Sequence, residues 1–209
     1  MTAVAGDEER VAIATAKRVL RSAVRFRRDA RSPKQRQADD EQRFGRYVDL
    51  LAVTGPRRTA LYLSAGAEPD TLRSIAWSVA SGVEVWLPVL TDGRGGLRSA
   101  PAWAPYAGPD RLREGRSGIL EPTTPVLPGD PLSALDLIIV PGLAADRSGR
   151  RLGRGGGWYD RARAAHRNLP AWLLLNDDEV LDVVPTDSWD LPVDVIITPT
   201  RTLRLEGGA

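Results

Sequence analysis

Apolar residues recur at helical spacing through the first quarter of the chain and come in short bursts after it. Over residues 8–28, Ala16, Val19, Ala23 and Phe26 share one face and predict a helix packed by that stripe. Lys17, Arg21, Arg25 and Arg28 fall on another face of the same helix. Ser-Pro-Lys at 32–34 breaks the pattern. A second helix is expected over 35–53, with Phe44, Val48 and Leu51 as its stripe, ended by TGPRR at 54–58.

Beyond that point strand-like and helix-like runs alternate. Strands are expected at 59–64, 83–89, 135–142, 171–176 and 193–199, and helices at 69–80, with Pro69 in the first turn, and at 159–166. The run LDLIIVPG at 135–142 is too continuously apolar for a half-exposed strand, which places it in a sheet covered on both faces. Residues 91–133 are rich in Gly and Pro and read as irregular. The alternation predicts an α/β fold, a three-layer αβα sandwich with a mostly parallel sheet. Residues 1–54 are expected to add helices to that core, within one domain spanning 1–209, and 203–209 to form a flexible tail. Ligands of such sheets bind beyond the carboxyl ends of the strands. SAGAEPDT at 64–71, the stretch after residue 142 and TPTR at 198–201 all fall there.

Composition narrows the chemistry. Hydrophobic residues make up 42% and charged residues 27% of the 209. No apolar run approaches the ~20 residues of a membrane span, and charge interrupts the N-terminal segment, so neither membrane nor signal peptide is expected and the location reads as cytoplasmic. Cysteine is absent, which excludes disulfides and thiolate metal sites. The lone histidine, His166, excludes multi-histidine metal sites and argues against a Ser-His-Asp triad. A metal here would be held by oxygen, as Mg²⁺ prefers. Net charge is +2, yet the pI is about 9.3 and the arginines cluster. Clustered arginine suits an anionic partner, although a coding bias toward arginine on solvated faces gives the same composition.

The densest cluster lies in GLAADRSGRRLGRGGGWYD at 142–160. Gly149, Gly153, Gly155, Gly156 and Gly157 let the backbone approach a ligand and line up N–H groups as an anion nest. Arg150, Arg151 and Arg154 add forked donors suited to phosphate oxygens. Asp160 is out of place beside a phosphate unless a Mg²⁺ lies between them. There is no GK[ST], and Trp158 stands where a last glycine of GxGxxG would fall. A phosphate loop, a plain surface turn and an RGG-type RNA-binding segment remain open on these residues alone.

VPGLAADRSGRRLGRGGGWYDR at 140–161 strongly resembles the signature of the 5-formyltetrahydrofolate cyclo-ligase family, roughly PGLAFD..G.RLG.G.GYYDR. AKRVLR at 16–21, ALYLSAGAEPDT at 60–71, LPV at 87–89, GILEP at 118–122 and VDVIITP at 193–199 follow in the family's order. The sequence departs at Ala145, where Phe is usual, at Trp158, where Tyr is usual, and at Trp189, where PTDSWD at 185–190 resembles a segment that often carries His.

The resemblance implies conversion of 5-formyltetrahydrofolate to 5,10-methenyltetrahydrofolate, with ATP as cosubstrate and Mg²⁺. The formyl oxygen would attack the γ-phosphate, N10 would close the ring on the phosphorylated imidate, and phosphate would leave. It implies that Lys17 and Arg21, with Arg18 in the same helix, contact ATP phosphates, and that Arg151, Leu152, Gly153, Arg154, Gly155, Gly156, Gly157, Trp158 and Tyr159 wrap the triphosphate. Arg154 becomes the catalytic cation, and Asp160 and Asp194 the Mg²⁺ ligands. Glu68 and Leu63, with the loop from Arg154 to Trp158, would hold the folate. Other readings stand beside these: a solvated basic face for Lys17 and Arg21, a helix N-terminal carboxylate for Glu68, a strand-end cap for Asp194. Trp103 and Tyr106 read equally as a stacking wall or as core, and His166 as an ordinary helix residue. Two further functions compete: a lapsed cyclo-ligase-like domain binding RNA or nucleotide through its arginines, and a sugar-phosphate isomerase on a similar sheet. On the leading reading the partners are 5-formyltetrahydrofolate and ATP, without membrane or nucleic acid, and the chain is a monomer.

Overall fold

The computed structural model describes residues 2–94 and 96–205. Two helices open the chain, α1 (Thr2–Ala30) and α2 (Pro33–Thr54). Ser32 caps α2 by accepting the Gln35 N–H, Pro33 fits the first turn, and Gly55 ends the helix in the left-handed region. The chain continues through β1 (Arg58–Ala60), α3 (Leu72–Ala80), β2 (Glu84–Pro88), β3 (Trp103–Pro105), β4 (Leu112–Glu114) and β5 (Leu120–Pro122). There follow β6 (Leu137–Val140), β7 (Ala144–Asp146), β8 (Arg151–Leu152), α4 (Trp158–Arg163), β9 (Ala171–Leu174), β10 (Val180–Leu181), β11 (Val195–Ile197) and β12 (Thr202–Arg204).

Seven strands form the main sheet in the order β12-β11-β9-β6-β1-β2-β3. Its five inner strands are parallel and its two edge strands antiparallel. Side chains of the central strands alternate between two cores. Leu137, Ile139, Trp172, Leu174, Val195 and Ile197 pack toward α2 and α3. Ile138, Val140, Ala171, Leu173 and Ile196 pack toward α4 on the other face. Burial on both faces explains why these runs are continuously apolar. Three short strands, β10-β7-β8, make a second sheet beneath α1.

Helix α1 docks the opposite way from its apolar stripe. Ala16, Val19, Ala23 and Phe26 face solvent, Phe26 being 76% exposed. The inward face carries Lys17, Val24 and Arg28, all buried. Acceptors decide the orientation. Arg28 donates to both carboxylate oxygens of Glu179, at 2.7 and 2.8 Å, and to the Gly142 carbonyl. Lys17 is held by Asp187 and Asp190, while Leu20 and Val24 pack on Leu143, Ala144 and Leu152.

Other expectations shift in detail. The helix expected at 69–80 begins at Leu72, and the one expected at 159–166 is six residues long, ending at Arg163. His166 follows that helix, with its Nε2 2.8 Å from Asp130. The irregular stretch 91–133 contributes β3, an edge of the main sheet, and the β4–β5 pair. Of the expected tail at 203–209, residues 203 and 204 pair with β11 as part of Thr202–Arg204, and residues 206–209 lie outside the described residues. Among the described residues no helix is long and apolar enough to cross a membrane.

The Arg28–Glu179 pair is the buried clamp of α1. Glu179→Ala should cost about 3–5 kcal/mol, because it leaves a buried guanidinium without its partner. A thermal midpoint lowered by roughly 10 °C is expected for a chain of this size; a change within 2 °C contradicts the clamp.

Candidate active site

The sheet order reverses between β6 and β1: the chain runs outward from β1 to β2, then returns to β6 on the other side of β1. Such switch points open a crevice at the carboxyl ends of the strands. A cleft of about 450 Å³ lies there, bounded by Leu63 and Glu68 after β1, Pro88 and Leu90 at the end of β2, and Pro141 after β6. The loop at 153–157 and the inward face of α1 close it.

The arginine-rich stretch divides in two. Its first half is a hairpin, β7–β8, with the exposed Arg150 outside this cleft. Only 153–157 forms the cradle. Gly155 has φ +107° and Gly157 φ +60°, conformations that side chains rarely adopt. Arg21 Nε donates to the Gly153 carbonyl at 2.9 Å, and Arg25 reaches the Arg154 carbonyl at 3.3 Å. Thus α1 holds the loop by its backbone. Arg151 is buried, donating to the Pro141 carbonyl at 2.9 Å and to Asp160 Oδ1 at 2.7 Å. Its role is to brace the cradle and orient Asp160. The Asp160 Oδ2 atom has no hydrogen-bond partner among the described residues, and Asp160 borders the cleft.

Glu68 and Arg154 face each other across the site. Glu68 Oε2 accepts the Ala65 N–H at 3.0 Å, and Oε1 accepts Arg154 Nη1 at 3.1 Å. Because α3 starts at Leu72, Glu68 does not lie in its first turn, which removes the helix-dipole reading. The wall beside Glu68 is apolar: Leu63, Pro88, Leu90, Ile119 and Trp158. Glu121 of GILEP, fully buried, fixes that wall by accepting the N–H groups of Leu90 and Thr91 at 2.9 and 3.0 Å. Trp103 belongs to the core, buried behind Trp158 with ring centroids 5.2 Å apart, and Tyr106 packs at the core margin outside the cleft.

Burial pushes the Tyr62 and Tyr159 hydroxyls well above their ordinary pKa, so both stay neutral. Arg163, beside the site, is lowered to about 10 by burial and by the nearby Arg151.

Two candidate residues are not brought in. Arg18 is exposed and does not line the cleft. Asp194 precedes β11, at the amino edge of the parallel strands, and its Oδ2 accepts the Ala171 N–H at 2.7 Å. It is a strand-end cap tying β11 to β9, and the metal role fails for it on position. Asp187, Trp189 and Asp190 join the cleft instead, within the PTDSWD segment, together with Ala14 and Tyr62. Four basic side chains (Lys17, Arg21, Arg151, Arg154) and four acidic ones (Glu68, Asp160, Asp187, Asp190) line it. Of the arginines that suggested RNA binding, Arg21, Arg28 and Arg151 are engaged inside the protein, while Arg18, Arg25, Arg150 and Arg154 are exposed.

Fold and site together define an α/β protein with a cleft at the carboxyl edge of a parallel sheet, bounded by an apolar wall and an arginine-glycine loop. The chain belongs to the 5-formyltetrahydrofolate cyclo-ligase family, whose model matches residues 13–199. It is 34% identical over 156 residues to the 5-formyltetrahydrofolate cyclo-ligase of Mycolicibacterium smegmatis, covering 74% of this chain and 79% of that protein. It is 32% identical over 180 residues to the Escherichia coli cyclo-ligase, covering 85% and 97%. The Aquifex aeolicus 5,10-methenyltetrahydrofolate synthetase structure superposes with a TM-score of 0.75 at 28% identity, covering 92% of this chain and 94% of that one. The Mycoplasma pneumoniae 5,10-methenyltetrahydrofolate synthetase shares the fold, with a TM-score of 0.68 at 18% identity over 88% and 98% of the two chains.

Arg21 predicts a local effect. Arg21→Ala removes a hydrogen bond from a charged donor to the loop backbone, a contribution of about 1.5–3 kcal/mol. Backbone order parameters across 153–157, read by ¹⁵N relaxation, should fall in the variant while the thermal midpoint moves by only a few degrees. Unchanged order in the loop contradicts the grip of α1.

Proposed function

We propose that this chain converts 5-formyltetrahydrofolate to 5,10-methenyltetrahydrofolate in this cleft, with ATP as cosubstrate and Mg²⁺ as its companion ion. One observation carries the reading: a carboxylate suited to a pterin and an arginine-glycine cradle suited to phosphates share one cleft, joined by a single ion pair. Glu68 can accept paired hydrogen bonds from the aminopyrimidine edge of the folate, with Leu63, Pro88, Leu90 and Ile119 against the ring. The loop N–H groups and Arg154 receive the triphosphate.

The Glu68–Arg154 pair suits exchange. The Arg154 side chain is 51% exposed, and ion pairs of that kind contribute about 0–1 kcal/mol. Releasing each partner to its own ligand therefore costs little. The buried Arg28–Glu179 pair could not serve this way.

The N-formyl group is amide-like and a poor electrophile, so the demanding step is its activation. Attack of the formyl oxygen on the γ-phosphate breaks the bond to ADP, which leaves, and turns that oxygen into a leaving group. N10 then adds to the formyl carbon and gives up its proton, the ring closes, and inorganic phosphate departs. No protein nucleophile is required, and among the described residues lining the cleft there is no Ser, Thr, Cys or His. The chain's part is alignment and charge stabilisation, with Arg154 at the transferring phosphoryl.

The cleft fits a magnesium ion bound with the nucleotide. Its formal charge is balanced, four against four, so a triphosphate entering alone is not neutralised. The free oxygen of Asp160 supplies one hard ligand, and Mg²⁺ commonly takes one or two carboxylates with phosphates and water. When bound, Mg²⁺ would offset the charge on the phosphates during transfer.

Purified protein supplied with 5-formyltetrahydrofolate, ATP and Mg²⁺ should generate the methenyl absorbance, with none when ATP is omitted. Absence of turnover by folded protein overturns the proposal. Asp160→Asn should lower turnover by about 100-fold or more and weaken the Mg²⁺ dependence of nucleotide affinity, with the fold retained. Near-wild-type turnover contradicts the role given to Asp160.

A further inference from the structure

Trp189 borders the cleft and leaves its large apolar side chain in solvent, at 55% exposure. Its position is the informative feature: the indole stands at the rim of the cleft, where its flat apolar face is within reach of a ligand. The turn that carries it is closed: Asp187 N–H donates to Asp190 Oδ2 at 2.8 Å, and Asp190 N–H to the Asp187 carbonyl at 3.1 Å. The same two aspartates hold Lys17 of α1. The turn is thus anchored on both sides of Trp189, and the ring is presented from a fixed base. Arg10 lies over the indole, 5.9 Å from its centroid. Ala14, the small residue one turn before Lys17, borders the cleft beside it and leaves room for a flat group.

These contacts place Trp189 on the α1 side of the cleft, with Lys17 and Arg21, whereas Glu68, Pro88, Leu90 and Ile119 occupy the side formed by β1 and β2. We propose that Trp189 is the stacking platform for the purine ring of the nucleotide, and that it makes this chain prefer purine over pyrimidine triphosphates. The inference rests on the proposed function for the presence of a nucleotide and adds which residue holds its base. Stacking on an aromatic face tolerates either purine and weakens for the smaller pyrimidine ring.

The test is calorimetric titration of the wild type, Trp189→Ala and Trp189→Phe with ATP and with UTP, each with Mg²⁺, beside the KM for 5-formyltetrahydrofolate. Trp189→Ala should weaken ATP by about tenfold, within the range of base–aromatic stacking, and bring the ATP-to-UTP affinity ratio close to one. Trp189→Phe should stay within about threefold of the wild type, and the folate KM within about twofold. If Trp189→Ala does not fold, Trp189→Leu provides the ring-free comparison. ATP affinity unchanged in the ring-free variant overturns the inference alone, as does equal loss for ATP and UTP, or a rise confined to the folate KM. Failure of the wild type to bind ATP overturns the proposed function as well.

Discussion

The architecture of the site depends on how α1 satisfies its buried cations. A lysine and an arginine taken out of water need acceptors close by, and the cost of leaving them unpaired is several kcal/mol each. Asp187, Asp190 and Glu179 meet that need, all from the segment after β9. The helix is thereby locked across the small sheet β10-β7-β8, and its neighbouring Arg21 comes within reach of the glycine loop. The loop has little side chain of its own to fix it, so this grip from outside gives it a defined shape.

Two classes of ion pair divide the labour. Arg28–Glu179 and Arg151–Asp160 are buried or nearly so and hold elements in place. Glu68–Arg154 is open to solvent on the arginine side, as the proposed exchange with ligands requires. The difference in burial, rather than in distance, separates structure from function here. Asp160 belongs to both classes: one oxygen is committed to Arg151, and the other has no hydrogen-bond partner among the described residues.

Much of the fold was legible in the sequence. The strand runs at 135–142, 171–176 and 193–199 announced a sheet covered on both faces, and Leu137, Ile138 and Ile139 alternate between its two cores as that requires. The orientation of α1 was not legible, because periodicity reports which residues share a face and not which face docks. The acids that turn it inward lie about 150 residues or more away in sequence. Most of the cradle and Glu68 were readable from motif and glycine content. Asp194 was misplaced because its metal role came from the resemblance, although the second residue of a strand expected at 193–199 falls at the amino end of a parallel sheet, away from the ligand edge. Asp187 and Trp189 were visible in PTDSWD but had no role until Lys17 and the cleft were seen beside them. Pro88 and Ile119 likewise lay in motifs already noted, LPV and GILEP.

A structure of the chain with a non-hydrolysable ATP analogue and Mg²⁺ decides whether the glycine loop and α1 form the triphosphate site. The triphosphate should sit between residues 153–157 and Arg21, with Arg154 drawn from Glu68 to the phosphates and α1 unmoved, Arg28 still on Glu179. A triphosphate bound away from the glycine loop, or α1 displaced so that its Val19–Phe26 face turns inward, would contradict that assignment.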